Sequence, residues 1–258
     1  MITEPFSTGT SFIHRIDPRL KIVYAAALSF VVAVSTEFPT LIAALALSVL
    51  MVVLARLNYV GVLRRIAVVL GFVLLIWVVL PFTFEGETLF EMGPLKLMRP
   101  GVMLSAQISL KSAAISLSFM ALVATMTIGT LGHAMNELHM PDKIVFLLLI
   151  SYRYLFVIAQ EYERLLRAIK MRGFRPKTDL HTYKTFAYLV GMLFVRASDR
   201  AVRVHQAMKC RGFKGKFVTL HTFSADRRNV IFAGFMSAAV MGLSFLEWGL
   251  KIVSFNKN

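Results

Sequence analysis

Long apolar runs, broken by short charged stretches, set the pattern of this chain. A bilayer-spanning helix needs roughly 17–25 mostly apolar residues, and five stretches are read as spans: Ile22 to Thr36, Thr40 to Ala55, Ile66 to Phe84, Ser112 to Leu131 and Asn229 to Leu246. The first lacks a small-residue cleavage site at its far end, and Glu4 and Asp17 interrupt a basic leader. It is therefore expected to be retained. Pro81 is expected to kink or end the third span. Ser105, Ser109, Ser112 and Ser116 recur at helical spacing and form a stripe of small residues against which another helix can pack.

Composition agrees with a membrane location. Hydrophobic residues make up 57% and charged residues 17% of the 258 positions, against ~45–50% and ~25% in a soluble domain. The mean hydropathy is +0.68. These values exclude a soluble enzyme or a disordered regulator and point to an all-α, polytopic membrane helical protein with about five transmembrane helices.

The net charge of +15 is unevenly placed. Lys and Arg resist translocation. Arg15, Arg19 and Lys21 precede the first span, and Arg56, Arg64 and Arg65 separate the second from the third, whereas Glu37 to Pro39 holds no base. The N-terminus is thus expected in the cytoplasm, and the loop with Glu85, Glu87 and Glu91 outside. Ile144 to Ala159 is apolar enough to pass for a further span, although it contains Arg153. If it crossed, residues 160–228, with sixteen Lys and Arg against five acids, would be translocated. Charge decides against that. The expected division is a membrane part over 1–140, a cytoplasmic helical hairpin over 141–228, and a last span with its tail over 229–258, ending outside.

Candidate chemistry is sparse. His14, His133, His139, His181, His205 and His221 form no i, i+4 pair and no cluster with acids, so no metal site is expected. No cofactor site and no phosphate-binding glycine loop is read either, so ATP hydrolysis would have to come from another chain. Lys111 lies near enough to the outer boundary to snorkel, and no carboxylate falls mid-span, which weakens an ion-coupled carrier reading. Cys210, the one cysteine, excludes an internal disulfide and is read as a packing residue beside a basic cluster.

The informative segment is the basic one. Arg164 to Lys177 and Arg203 to Lys216 align at an offset of 39 with seven identities in 14 positions: Arg164/Arg203, Ala168/Ala207, Lys170/Lys209, Arg172/Arg211, Gly173/Gly212, Phe174/Phe213 and Lys177/Lys216. Each copy reads as a helix end, with a glycine suited to a left-handed cap, a Phe for the accompanying apolar contact and Arg at the negative end of the helix dipole. Pro176 blocks continuation of the first helix. Capping alone tolerates many residues before glycine, so the recurrence of the whole basic unit suggests docking into two equivalent pockets, with the guanidinium forks as anchors.

At these residues the chain resembles the T component, the transmembrane coupling subunit, of energy-coupling factor transporters, in particular the cobalt/nickel group. The stretch His14-Arg15-Ile16-Asp17-Pro18-Arg19-Leu20-Lys21 is similar to the family's start motif, with Asp17, Pro18 and Arg19 at its centre. Pro141-Asp142-Lys143 through Tyr152-Arg153-Tyr154 resembles its approach to the coupling helices, and Arg172-Gly173 and Arg211-Gly212 its paired Ala-Arg-Gly signatures. Met171 and Cys210 stand where the signature has Ala.

The resemblance implies an all-helical, non-catalytic subunit of the bacterial inner membrane whose hairpin consists of coupling helices. Met171, Arg172, Gly173, Phe174, Cys210, Arg211, Gly212 and Phe213 would then seat in two copies of an ATP-binding-cassette ATPase, with Phe174 and Phe213 filling apolar ground beside the anchors. The other implied partner is a small substrate-binding membrane subunit for cobalt or nickel. A T subunit for a vitamin, or a membrane-tethered basic scaffold for anionic lipid or nucleic acid, is the competing reading. Only docking should distinguish Arg from Lys.

Overall fold

The computed structural model describes Phe6, Gly9, residues 11–83, 88–92, 95–213, Gly215 and 227–255. Among these residues the chain forms eight α-helices, one short 3-10 turn and one two-stranded hairpin. Glu85, Glu87, Lys214, Lys216 and His221, named above, lie outside the described residues. Two compact units result, one from Glu4–Thr127 with Phe223–Asn258, the other around Ile128–Thr222.

The first unit is a helix bundle of α1 (Pro18–Val34), α2 (Phe38–Ala55), α3 (Tyr59–Thr83), α4 (Arg99–Leu122) and α8 (Arg227–Phe255). In lipid, helices gain little from hiding apolar surface and associate through close packing of small residues. That is what α2 and α4 do. Ala44, Ser48 and Ala55 of α2 and Ser105, Ala114, Ser118 and Ala121 of α4 are at most 1% exposed, and the two helices pack together. Five of the seven buried positions of α2 (Leu41, Ala44, Ser48, Met51 and Ala55) alternate by three and four, and Thr40 and Val52 flank the same face of the helix.

Ser105 and Ser109 serve this internal packing. Each hydroxyl donates to the carbonyl four residues back, at 2.8 and 2.7 Å, and Ser109 Oγ also accepts Trp77 Nε1 of α3 at 2.8 Å. Gly101 lets α4 meet α3 at Pro81, because a Cβ there would fall 2.7 Å from the Leu80 carbonyl oxygen. Pro81 itself does not end the third helix at once. α3 continues to Thr83.

α1 and α8 run parallel, joined along their length. The Asp17 N–H donates to Asn229 Oδ1 (3.1 Å), Tyr24 Oη donates to the Ala233 carbonyl (3.0 Å), and the Thr36 N–H donates to Glu247 (2.8 Å). The turn after α1 is further held by α4, where Lys111 Nζ donates to the Ala33 carbonyl (2.9 Å) and Gln107 to the Thr36 carbonyl (2.7 Å). Lys111 therefore closes a helix end, which must give its last four carbonyls partners.

The spans differ from expectation at several boundaries. Ser112 to Leu131 is no single helix: α4 stops at Leu122, a turn follows, and α5 covers Ile128–Glu137. The Thr125 hydroxyl, donating to the Ala121 and Leu122 carbonyls at 3.1 Å, closes α4. β1 (Thr88–Met92) and β2 (Leu95–Met98) pair antiparallel in the segment read as a plain loop. By length and composition five described helices could cross a membrane, and the set contains Asp142–Met171 in place of the 17-residue α1.

The second unit holds α5, α6 (Asp142–Met171) and α7 (Leu180–Cys210). α6 and α7 form an antiparallel hairpin. Passing along α6 from Phe146 to Glu161 and on to Phe174, the partners on the other side retreat from Phe213 to Arg196 to Phe186.

Candidate docking elbows

The two copies of the repeat fold alike. After α6, the Gly173 N–H donates to the Lys170 carbonyl (3.0 Å) and the Phe174 N–H to the Ile169 carbonyl (3.2 Å). After α7, the Gly212 N–H donates to Lys209 and the Phe213 N–H to Met208, both at 3.0 Å. This double bond pattern is the Schellman cap, which needs a left-handed residue just past the helix. Gly173 has φ +82° and Gly212 φ +77°. A Cβ would meet no neighbour at either site. Glycine is required there by backbone conformation, not by space.

The caps set the arginines. Arg172 and Arg211 have nearly equal dihedrals (φ −82°, ψ 13° and φ −89°, ψ 12°) as the C-cap residues. Both are exposed, and neither guanidinium makes a hydrogen bond or ion pair among the described residues. Met171 is 88% exposed and Cys210 is exposed. Each elbow thus offers solvent one sulfur-bearing side chain followed by one guanidinium.

The phenylalanines behave otherwise. Phe174 meets Phe186 edge-on at 5.9 Å and lies near His181, while Phe213 stacks on Phe146 at 5.2 Å. Both are half-buried against their own hairpin. These ring contacts tie each phenylalanine to its own hairpin just past the arginine.

The elbows flank α7. With 31 residues and a rise of about 1.5 Å per residue, α7 is about 46 Å long. Its start is capped by Asp179, whose carboxylate accepts the Thr182 N–H at 3.0 Å, while Thr182 Oγ1 accepts the Lys177 N–H at 3.1 Å. Hydrogen bonds from Thr182 hold the Asp179 carboxyl below its ordinary pKa. Between α6 and α7 lies a mainly apolar groove of about 610 Å³, crossed by Glu161 and Arg196. Glu161 also pairs with Arg164 at 3.3 Å. Local sequence spacing does not single out Glu161, because its partner Arg196 is 35 residues away.

Asp17, Pro18 and Arg19 belong to the other unit and are not part of the elbows. Asp17 caps α1 by accepting the Arg19 N–H at 2.9 Å, and Pro18 occupies the first helical turn. Among the described residues no group of three or more His, Cys, Asp or Glu side chains is placed to hold a metal ion.

A family model, CbiQ, described as cobalt transport protein, matches residues 9–222. Relatives match over most of their length. The energy-coupling factor transporter transmembrane protein EcfT of Bacillus subtilis is 27% identical, covering 83% of this chain and 85% of that protein. The protein of the same name from Acidaminococcus fermentans is 26% identical, covering 94% and 95%. An uncharacterized protein of Methanocaldococcus jannaschii is 25% identical, covering 95% and 93%.

Proposed function

We propose, on the premise that this chain belongs to the CbiQ family and is a CbiQ/EcfT-like T component of energy-coupling factor transporters, that its paired elbows dock two ATP-binding-cassette ATPases. Through the hairpin it transmits their ATP-driven movement to a substrate-binding membrane subunit. The cargo is cobalt, with nickel next. The chain itself is non-catalytic. The observation that carries this reading is the pair of equally capped, exposed arginines with unpaired guanidinium groups, Arg172 and Arg211, at the C-terminal ends of the two hairpin helices.

The chemistry follows from the cap. An arginine fixed by a Schellman turn has lost part of its backbone freedom before binding, so less ordering cost falls on association. Its planar fork can engage a carboxylate or a pair of carbonyls with two parallel bonds. Truncating such an anchor costs about 2–4 kcal/mol when it fills a central pocket. Two equal elbows imply two equal pockets, one in each of two ATPase copies.

Docking requires the hairpin in the cytoplasm. The charge of residues 160–228 supports that side, and so does the parallel course of α1 and α8. Both helices leave from a basic end, with Arg15, Arg19 and Lys21 at one and Arg227 and Arg228 at the other, which suits a cytoplasmic N-terminus and an outside C-terminus.

The test is affinity purification of the tagged chain from its native membrane. The unmodified chain should retain an ATP-binding-cassette ATPase, and Arg172→Lys with Arg211→Lys should lower the retained amount at least tenfold. If no such ATPase accompanies the unmodified chain while other membrane complexes survive the procedure, the reading fails. A basic scaffold for anionic lipid or nucleic acid would tolerate the lysines.

A further inference from the structure

Docking at two elbows calls for a hairpin of defined geometry, yet an open groove runs between its helices. Ring contacts close the two ends, Phe174 on Phe186 and Phe213 on Phe146. Between them lies the groove, lined by apolar side chains such as Ile150, Tyr154, Leu155, Ile158, Leu193 and Val204 that leave about 610 Å³ unfilled. Apolar packing with such a gap does not define a crossing angle, because close-packed contact is what transmits strain between helices.

A polar link bridges the gap. Glu161 of α6 bonds Arg196 of α7. The glutamate side chain is only 12% exposed, and Arg164 supports it from one turn further along α6. Arg200, one turn beyond Arg196, adds a third positive charge near the carboxylate. The position is also distinctive. Arg196 lies one residue past the midpoint of α7, about 24 Å from its start and about 21 Å from its end by helical rise. Glu161 stands ten residues before Met171, about 15 Å from the first elbow.

We propose that Glu161 and Arg196 are the positioning pair of the hairpin, a strut that sets the angle between α6 and α7 and so carries movement of one docked elbow to the other. This rests on the docking reading above and deepens it. The Arg196 side chain is half exposed and solvent screens such a pair, so its role is geometric: with the strut in place a push on either elbow turns the hairpin as one lever, and without it the helices yield into the open groove.

The test uses the whole complex, purified through the tagged chain, with two readouts: the amount of ATPase retained and the rate of ATP hydrolysis by the complex. Glu161→Arg and Arg196→Glu should each retain the ATPase, since both elbows are intact, but lower hydrolysis at least tenfold. The reversed pair, Glu161→Arg with Arg196→Glu, should recover at least half of the original rate. Arg196→Lys should retain more than Arg196→Glu. Single reversals that leave hydrolysis unchanged, or a reversed pair no better than its singles despite normal ATPase retention, would overturn the strut. Absence of an ATPase from the unmodified complex sinks the docking reading, and the strut with it.

Discussion

The Asp17 N–H donates to Asn229 Oδ1 across 3.1 Å, joining the first turns of two helices 212 residues apart in the chain. Asp17 is thereby used twice, its carboxylate capping α1 and its backbone pinned to α8. Asn229 is 9% exposed, so removing its amide strands a donor away from water. Asn229→Ala should destabilise the folded chain by about 1–3 kcal/mol. Thermal unfolding of the detergent-solubilised protein measures it, and Asn229→Asp, which keeps the acceptor, should lose less.

The opposite end of the same helix pair offers a second case. Glu247 of α8 accepts the Thr36 N–H (2.8 Å), the Thr36 hydroxyl (3.2 Å) and the Glu37 N–H (3.4 Å), and it pairs with Lys251 (3.4 Å). A carboxylate that holds a whole turn is expensive to remove. Glu247→Ala should cost about 2–3 kcal/mol, and Glu247→Gln, which keeps one oxygen acceptor, should cost less than half of that in the same unfolding measurement.

These two anchors lay beyond what the sequence could disclose, and the reason is physical. Asn229 and Glu247 act on residues more than 200 positions away, and no local period or propensity encodes such a pairing. The Schellman caps were legible, because Gly173 and Gly212 report a local backbone need that their neighbours share. Helix α2 was legible too, through the length of its apolar run. The break between α4 and α5 was not. Val123 to Thr127 is as apolar as a continuing span, and the device that closes α4, the Thr125 hydroxyl bonding back to Ala121 and Leu122, leaves hydropathy unchanged.

Glycine at the two caps can be tested without touching the arginines. Because φ is +82° at Gly173 and +77° at Gly212, alanine at either site should cost roughly 1–2 kcal/mol through backbone strain. Asparagine should cost less. If the caps aim the arginines, both alanine variants should also lower ATPase retention, and the asparagine variants should recover part of it. Equal retention by all four variants would mean that the turn is not what presents Arg172 and Arg211.

The cap of α7 carries a pH dependence. Thr182 holds the Asp179 carboxyl below its ordinary pKa, so the folded state favours the ionised form. The stabilisation is complete above the unfolded pKa of about 3.9 and is lost as pH falls through the lower folded value. Asp179→Asn keeps an acceptor for the Thr182 N–H and has no proton to bind. Helicity followed between neutral and strongly acidic pH should fall less steeply for Asp179→Asn than for the unmodified chain in that acid range.

Sidedness is decided by a single thiol. Cys210 is the chain's one cysteine and is exposed in the second elbow, directly before Arg211. A membrane-impermeant maleimide should therefore modify it in inverted vesicles and leave it unmodified in right-side-out ones. Met171, 88% exposed at the equivalent place in the first elbow, extends the test: Met171→Cys in a Cys210→Ala background should react from the same face. Docked ATPases should shield both thiols, and stripping the ATPases from the membrane should restore reaction at each. Labelling of Cys210 from the outer face would place the elbow where no cytoplasmic motor can reach it, and labelling of the two positions from opposite faces would mean that α7 crosses the bilayer.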